Sequence, residues 1–266
     1  MNPMLNIAVR AARDAGKFIV RYVDRVERLP VVTKEKNDFV TEVDQKAEKL
    51  IVDTLKQAFP DHSILAEESG ASGTSNSEYQ WIIDPLDGTT NFLHGMPQFA
   101  VSIALKHHNK LILGVIYDPL RQELFTTSLG DGAYLNNRRI RVSKQMGLNG
   151  ALLGTGFPYK DFRYLDAYMD MFKEMVTKTA GVRRPGSAAL DLAYLACGRI
   201  DGFWEIGLNS WDIAAGALMV REAGGIITDF SAEENYLVNG NVIAGNPKVF
   251  NQMLKTLEPL IPDELK

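Results

Sequence analysis

Trp81-Ile82-Ile83-Asp84-Pro85-Leu86-Asp87-Gly88-Thr89-Thr90-Asn91-Phe92 is the stretch on which both fold and chemistry turn. The apolar, β-branched run over 80–83 predicts a strand that ends at Asp84, because Pro85 removes a backbone donor. Asp84 and Asp87 then flank a turn and face one locus. Gly88 permits a close backbone approach, and Thr89-Thr90-Asn91 suits the start of a helix whose free N–H groups favour an anion. Carboxylates for a hard cation, followed at once by an anion-binding helix start, are what metal-assisted phosphate chemistry requires. In isolation, Asp-Pro-x-Asp-Gly has a commoner reading as a surface turn, since Asp, Pro and Gly all favour turns.

Three other acidic features lie around this stretch. Glu67-Glu68 follows the strand-like run Ser63-Ile64-Leu65-Ala66; adjacent carboxylates repel, and either a nearby cation or plain solvation relieves them. Ser210-Trp211-Asp212 begins a helix with Ser210 as candidate N-cap, and Asp212 in the first turn is favoured by the helix dipole whether or not it is a ligand. Thr41 and Asp44 have capping-box spacing at the head of another helix, with Asp in place of Glu; the same pair could orient a water.

The rest of the chain is layered. Asn2 and Pro3 start a first helix with an apolar stripe of Leu5, Ala8, Ala12, Ala15, Ile19 and Val23. A second helix is expected from about 44 to 59, stopped by Pro60. Residues 99–106, 111–117, 123–128 and 133–135 read as strands, with turns at Gly130-Asp131-Gly132 and Asn136-Asn137 before 139–142. Beyond Gly150, strands at 151–154, 200–206, 226–229 and 242–244 alternate with helices at 164–177, 187–197, 211–223 and 247–257, the last capped by Asn246. Residues 69–78 read as an exposed loop. The expected class is α/β or α+β: one domain over 1–266, loosely divided near 145 into an N-terminal metal-binding half and a C-terminal substrate half.

The 266 residues carry a formal net charge of −4, which argues against a general nucleic-acid surface and leaves an anionic substrate in need of a bound cation. Cys197 is the single cysteine, so no internal disulfide forms; a reducing, cytoplasmic setting is expected, with Cys197 a helix core residue. Arg10, Arg13, Asp14, Lys17 and Arg21 interrupt the N-terminal apolar runs, so no signal peptide is read there, and no run has the length of a membrane span.

Glu67-Glu68-Ser69, the 81–92 stretch, Thr41-x-x-Asp44, and Trp211-Asp212-Ile213-Ala214-Ala215-Gly216 with Glu222-Ala223-Gly224-Gly225 resemble, in order and spacing, the signatures of the inositol monophosphatase family. The likeness runs through nearly the whole chain. It implies a layered αβαβα sandwich of the inositol monophosphatase/fructose-1,6-bisphosphatase type, a homodimer, and lithium-sensitive, Mg²⁺-dependent hydrolysis of inositol monophosphate by two-metal activation of water. The implied ligands are Glu67, Asp84 and the Leu86 carbonyl for one ion, and Asp84, Asp87 and Asp212 for the other. Thr89 and Asp44 would position the water and accept its proton, with Glu67 counted among the catalytic residues. Leu86, Asp87, Gly88 and Thr89 would surround the phosphate; Glu205, Asp212 and the Gly186-Ser187-Ala188 loop would meet the alcohol. Ser187 stands where many relatives have Thr. Arg183, beside Arg184, is a further substrate candidate or else part of an interface or solvated pair; His94 reads as a rim residue and His107-His108 as an exposed turn.

Fructose-1,6-bisphosphatases and 3′-phosphoadenosine phosphatases share the Asp-Pro-x-Asp-Gly core, but the short chain and the surrounding motifs favour the inositol monophosphatase type. Resemblance to one bacterial branch also implies association with RNA polymerase and Nus factors in transcription antitermination and ribosomal RNA synthesis.

Overall fold

The computed structural model describes residues 2–265, apart from 29–30, 36–37, 75 and 159–161. Asn2 accepts the Met4 N–H at 2.9 Å and Pro3 occupies the first turn, so α1 (Pro3–Val20) starts where the local signals place it. A hairpin of β1 (Val31–Glu35) and β2 (Asp38–Thr41), which the pattern did not announce, runs directly into α2 (Glu42–Ala58). Then come β3 (Ser63–Ala66), β4 (Gly70–Ser72), β5 (Tyr79–Asp87), α3 (Thr89–Leu93), β6 (Ala100–His107), β7 (Lys110–Asp118), β8 (Glu123–Ser128), β9 (Gly132–Leu135) and β10 (Arg138–Ile140). These eight strands form one mixed sheet in the order β10-β9-β8-β7-β6-β5-β3-β4, antiparallel except for the β3–β5 pair.

The second half supplies β11 (Leu152–Thr155), α4 (Leu165–Lys178), β12 (Gly181–Arg183), α5 (Ala188–Ala196), β13 (Gly202–Glu205), α6 (Ser210–Glu222), β14 (Ile226–Thr228), α7 (Tyr236–Asn239), β15 (Val242–Gly245) and α8 (Pro247–Leu257). Its five strands order as β12-β11-β13-β15-β14, with β11 parallel to both neighbours and the remaining pairs antiparallel. Helices α1 and α2 cover one face of the large sheet, α5 and α6 lie between the two sheets, and α4 and α8 cover the outer face of the small one. The result is an αβαβα stack with three apolar layers. The middle layer explains why α5 and α6 lack a polar face: Leu190, Leu192, Ala193, Ile213, Ala214 and Ala217 are buried on all sides between sheets.

Three expectations are corrected. The strand at Trp81 does not stop at Asp84. β5 continues to Asp87 through a bulge, where the pairing moves from Asp84↔Ser102 to Asp87↔Ala100 and Pro85 sits in the unpaired step. The 69–78 stretch is not all loop: Gly70 turns the chain at φ +70° and β4 pairs back onto β3, while Ser75 lies outside the described residues. Finally, Asn209, not Ser210, is the N-cap of α6.

Candidate active site

Everything in the site hangs on the bulge in β5. It turns the Asp84 and Asp87 side chains toward the same space, and Asp84 Oδ1 locks the turn by accepting the Leu86 N–H at 2.9 Å. Gly88 follows at φ +97°, and a Cβ there would lie 2.8 Å from the Gln98 carbonyl, so glycine is required by conformation and by space. On the parallel neighbour β3, the chain emerges at Glu67, whose N–H donates to the Ile83 carbonyl at 3.1 Å. From the middle layer, the first turn of α6 brings in Asp212, whose Oδ2 accepts the Asn209 N–H at 2.7 Å. Oxygens of Asp84, Asp87 and Asp212 come within 4.8 Å of one another, and Glu67 shares a hydrogen bond with Asp84.

This cluster forms one wall of a cavity of about 430 Å³. Burial, then the charges of Glu67, Asp87 and Asp212, push the Asp84 carboxyl well above its ordinary range. Burial also lifts Asp87 to about 6, although Oδ2 accepts from the Ser187 hydroxyl at 2.6 Å and the Ala189 N–H at 2.7 Å and Arg184 lies near. Arg184 is the only arginine or lysine among the described lining residues. Crowded carboxylates of hard oxygen character, destabilised by one another, are the donor set a small divalent cation fits.

Thr89 lies at the start of α3 with its hydroxyl 3.1 Å from both the Leu86 carbonyl and Asp44 Oδ1, to one of which it donates at a time. Asp44 is fully buried behind it, outside the cavity lining. Its other oxygen accepts the Thr41 N–H at 2.8 Å and the Thr41 hydroxyl at 2.5 Å, so the capping box and the link to Thr89 share one carboxylate. Burial raises the Asp44 pKa against all of these hydrogen bonds. Across the cavity, Glu205 at the end of β13 is pushed to about 8 by burial, with Arg184 opposing and Asp212 and Asp87 adding to the rise. Gly186, Ser187 and Ala188 line the cavity and His94 lies on it.

Arg183 is not at the site. It is an exposed residue of β12 whose Nη1 donates to the Val182 carbonyl at 3.2 Å, whereas Arg184 reaches the cavity and lies over the Phe157 ring, 5.4 Å from its centre. Successive side chains of an extended segment point to opposite sides, so only one of two adjacent arginines faces inward. Residues that motif reading missed include Glu48, whose carboxylate accepts the N–H groups of Glu68 and Ser69 at 2.8 and 2.9 Å and so holds the Glu67 turn. A signal existed: Glu48 stands one turn after Asp44 on the apolar face of α2. Asn91 was quoted only as part of the motif, yet its Nδ2 ties the Gln98, Pro185 and Gly186 carbonyls together. Asp191, buried in the lining with Oδ2 unpartnered, carried no signal beyond an acid in a helix first turn.

The sequence profile of the inositol monophosphatase family matches residues 1–261. The chain belongs to that family. Within it, this inositol monophosphatase-family chain is 54% identical to Nus factor SuhB of Pseudomonas aeruginosa over 271 residues, covering all of both proteins. The crystal structure of extragenic suppressor protein suhB from Bartonella henselae superposes with a TM-score of 0.95 at 44% identity, over 98% of this chain and 100% of that one. The inositol monophosphatase structure from Anabaena superposes with a TM-score of 0.83 at 39% identity, over 98% of this chain and 97% of that one. The αβαβα fold is thus shared by family members carrying both names.

Proposed function

We propose that this chain is a Mg²⁺-dependent phosphatase that hydrolyses inositol monophosphate to inositol and phosphate, working as a homodimer as is usual in the family. The observation that carries the reading is the convergence of Asp84, Asp87 and Asp212 within 4.8 Å, at a cavity whose opposite wall bears Glu205. Mg²⁺ held by Glu67, Asp84, the Leu86 carbonyl, Asp87 and Asp212 would supply water activation and charge neutralisation. Gly88 and Thr89 present backbone N–H groups to the phosphate. The Thr89 hydroxyl orients the attacking water and links it to Asp44, which burial makes a stronger proton acceptor than a free aspartate. Glu205 accepts hydrogen bonds from alcohol hydroxyls, and Arg184 adds the positive charge that keeps that wall from repelling the ester.

A phosphate-release assay tests this. Inositol 1-phosphate, fructose 1,6-bisphosphate and 3′-phosphoadenosine phosphates are compared with Mg²⁺ and with EDTA. Inositol 1-phosphate is the expected preferred substrate, with no turnover in EDTA; metal-independent turnover, or a clear preference for either other ester, rejects the proposal.

A second role is favoured by the relatives named Nus factor SuhB, at 50 and 54% identity over the full length. In this reading the chain also associates with RNA polymerase and Nus factors in antitermination. Affinity capture from a bacterial extract distinguishes the roles: the association should survive Asp84→Asn, which removes hydrolysis, and its absence from wild type rejects the second role.

A further inference from the structure

We propose that Glu78, His107 and His108 form a surface site for a transition-metal dication of the Zn²⁺ type, separate from the acidic cavity. His107 ends β6, Glu78 immediately precedes β5, and His108 opens the turn that follows β6. Tyr79 of β5 is directly opposite His107 of β6, and the His108 N–H donates to the Glu78 carbonyl at 2.7 Å, so their backbones are fixed to one another. His108 takes the left-handed conformation at φ 49°, which folds its ring back beside that of His107 instead of projecting it onward from the strand.

A stack of rings then holds the His107 imidazole, with the exposed His108 ring at its end. His62 lies on Tyr79 with centroids 4.6 Å apart and planes 15° apart, Tyr79 on His107 at 4.4 Å and 16°, and His107 beside His108 at 4.3 Å. His107 Nε2 is 3.8 Å from Glu78 Oε2, and one donor atom from each of the three residues lies within 4.8 Å of the others. Two donors on one Zn²⁺ ion, each about 2.0–2.2 Å from it, lie roughly 3–3.5 Å apart. Closing the remaining ångström needs only rotation of the Glu78 and His108 side chains, both of which are exposed.

Ligand chemistry separates this site from the catalytic one. Imidazole pairs with one carboxylate select borderline ions such as Zn²⁺, Ni²⁺ or Cu²⁺, whereas the all-oxygen set of Glu67, Asp84, Asp87 and Asp212 suits Mg²⁺. Glu78 stands before the first residue of β5 and Asp84 near its other end, so the strand keeps the sites about 20 Å apart. A bound ion would clamp the start of β5 to the β6–β7 hairpin. A plain His107–Glu78 ion pair, the competing account, has no use for His108 and binds no metal.

Calorimetric titration of the full chain with ZnCl₂ decides between them. The Asp84→Asn background and excess Mg²⁺ silence the acidic centre. One Zn²⁺ equivalent is expected, accompanied by a rise in melting temperature. In that background His108→Gln and Glu78→Gln should each weaken binding by at least about tenfold. Made singly in the wild type, they should leave Mg²⁺-dependent phosphate release and the metal-free melting temperature unchanged, since both side chains are exposed. Zn²⁺ affinity that is absent from the parent, or unaltered in the His108 and Glu78 variants, overturns the proposal.

Discussion

Asp84 concentrates the electrostatic conflict of the molecule. It is 2% exposed, its carboxyl is pushed up by burial and by three acidic neighbours, and its Oδ1 is committed to the Leu86 N–H. A group so placed costs the protein stability in the absence of a cation, which is the usual mark of a residue kept for chemistry. Asp84→Asn should therefore have two opposite effects. Hydrolysis should fall by about 10³-fold, the rate equivalent of the several kcal/mol a metal's charge stabilisation supplies. The metal-free melting temperature should hold or rise, because one of the crowded charges is gone. Steady-state kinetics and a thermal melt check the pair; near-wild-type turnover, or a fall of many degrees, removes Asp84 from the centre. The same logic explains which residues were legible in sequence. Asp84 and Asp87 stand in a strand-turn-helix run whose residue types already suit a cation beside an anion. Asp191 and Glu48, by contrast, look like routine helix acids until burial shows one oxygen of Asp191 unpartnered and Glu48 bonded to a distant turn.

At the level of elements, helices and strands followed their periodicity closely where one face is buried. α1 and α8 were legible from caps as well as stripes: Asn2 and Asn246 both accept N–H groups from the first turns that follow them. The exceptions are places where tertiary pairing outweighs local preference. Pro85 should have ended β5, yet β6 continues alongside and the bulge absorbs the missing donor. β4 is a three-residue strand in a polar stretch, held by pairing to β3. Helix α2 shows how an element serves the site from a distance, since Asp44 and Glu48 on its buried face respectively orient Thr89 and hold the Glu67 turn. Glu48→Gln keeps the shape but can no longer accept both N–H groups as a carboxylate. Losing one charged acceptor there should cost about 1–3 kcal/mol, read by urea denaturation. The Mg²⁺ concentration for half-maximal activity should rise as Glu67 loses its position. Unchanged stability with an unchanged Mg²⁺ requirement would show that the Glu67 turn needs no support from α2.

For the whole molecule, the two sheets meet at a net-acidic cavity, and this makes stability depend on pH and metal together. Among the described residues, no helix is long and apolar enough to cross a membrane. Asp84 is raised well above its ordinary value, Asp87 to about 6 and Glu205 to about 8. Each of these carboxyls binds its proton more tightly folded than unfolded. Each therefore stabilises the fold while protonated, and that stability is lost as pH rises from the unfolded to the folded pKa. His62, held below its ordinary value by burial, works in the opposite sense below about pH 6.5, so the informative window is about pH 6.5 to 8. Across it, Glu205 ionises, and the burial and acidic neighbours that raise Asp84 act in the same direction. The metal-free protein should lose about 2 kcal/mol from Glu205 alone, since one pKa unit corresponds to 1.36 kcal/mol; that is roughly 5 °C of melting temperature for a chain of this size. Saturating Mg²⁺ should cancel the share due to Asp84 by neutralising its cluster, and leave the larger part of the share due to Glu205, which is set first by burial and only then by Asp212 and Asp87. The gap between melting curves with and without Mg²⁺ should accordingly widen from pH 6.5 to 8, and Glu205→Gln should flatten the slope that remains. Differential scanning calorimetry on the two proteins measures both quantities; a metal-free melting temperature that rises across this window would mean that the cavity carboxylates are already neutralised by partners of their own.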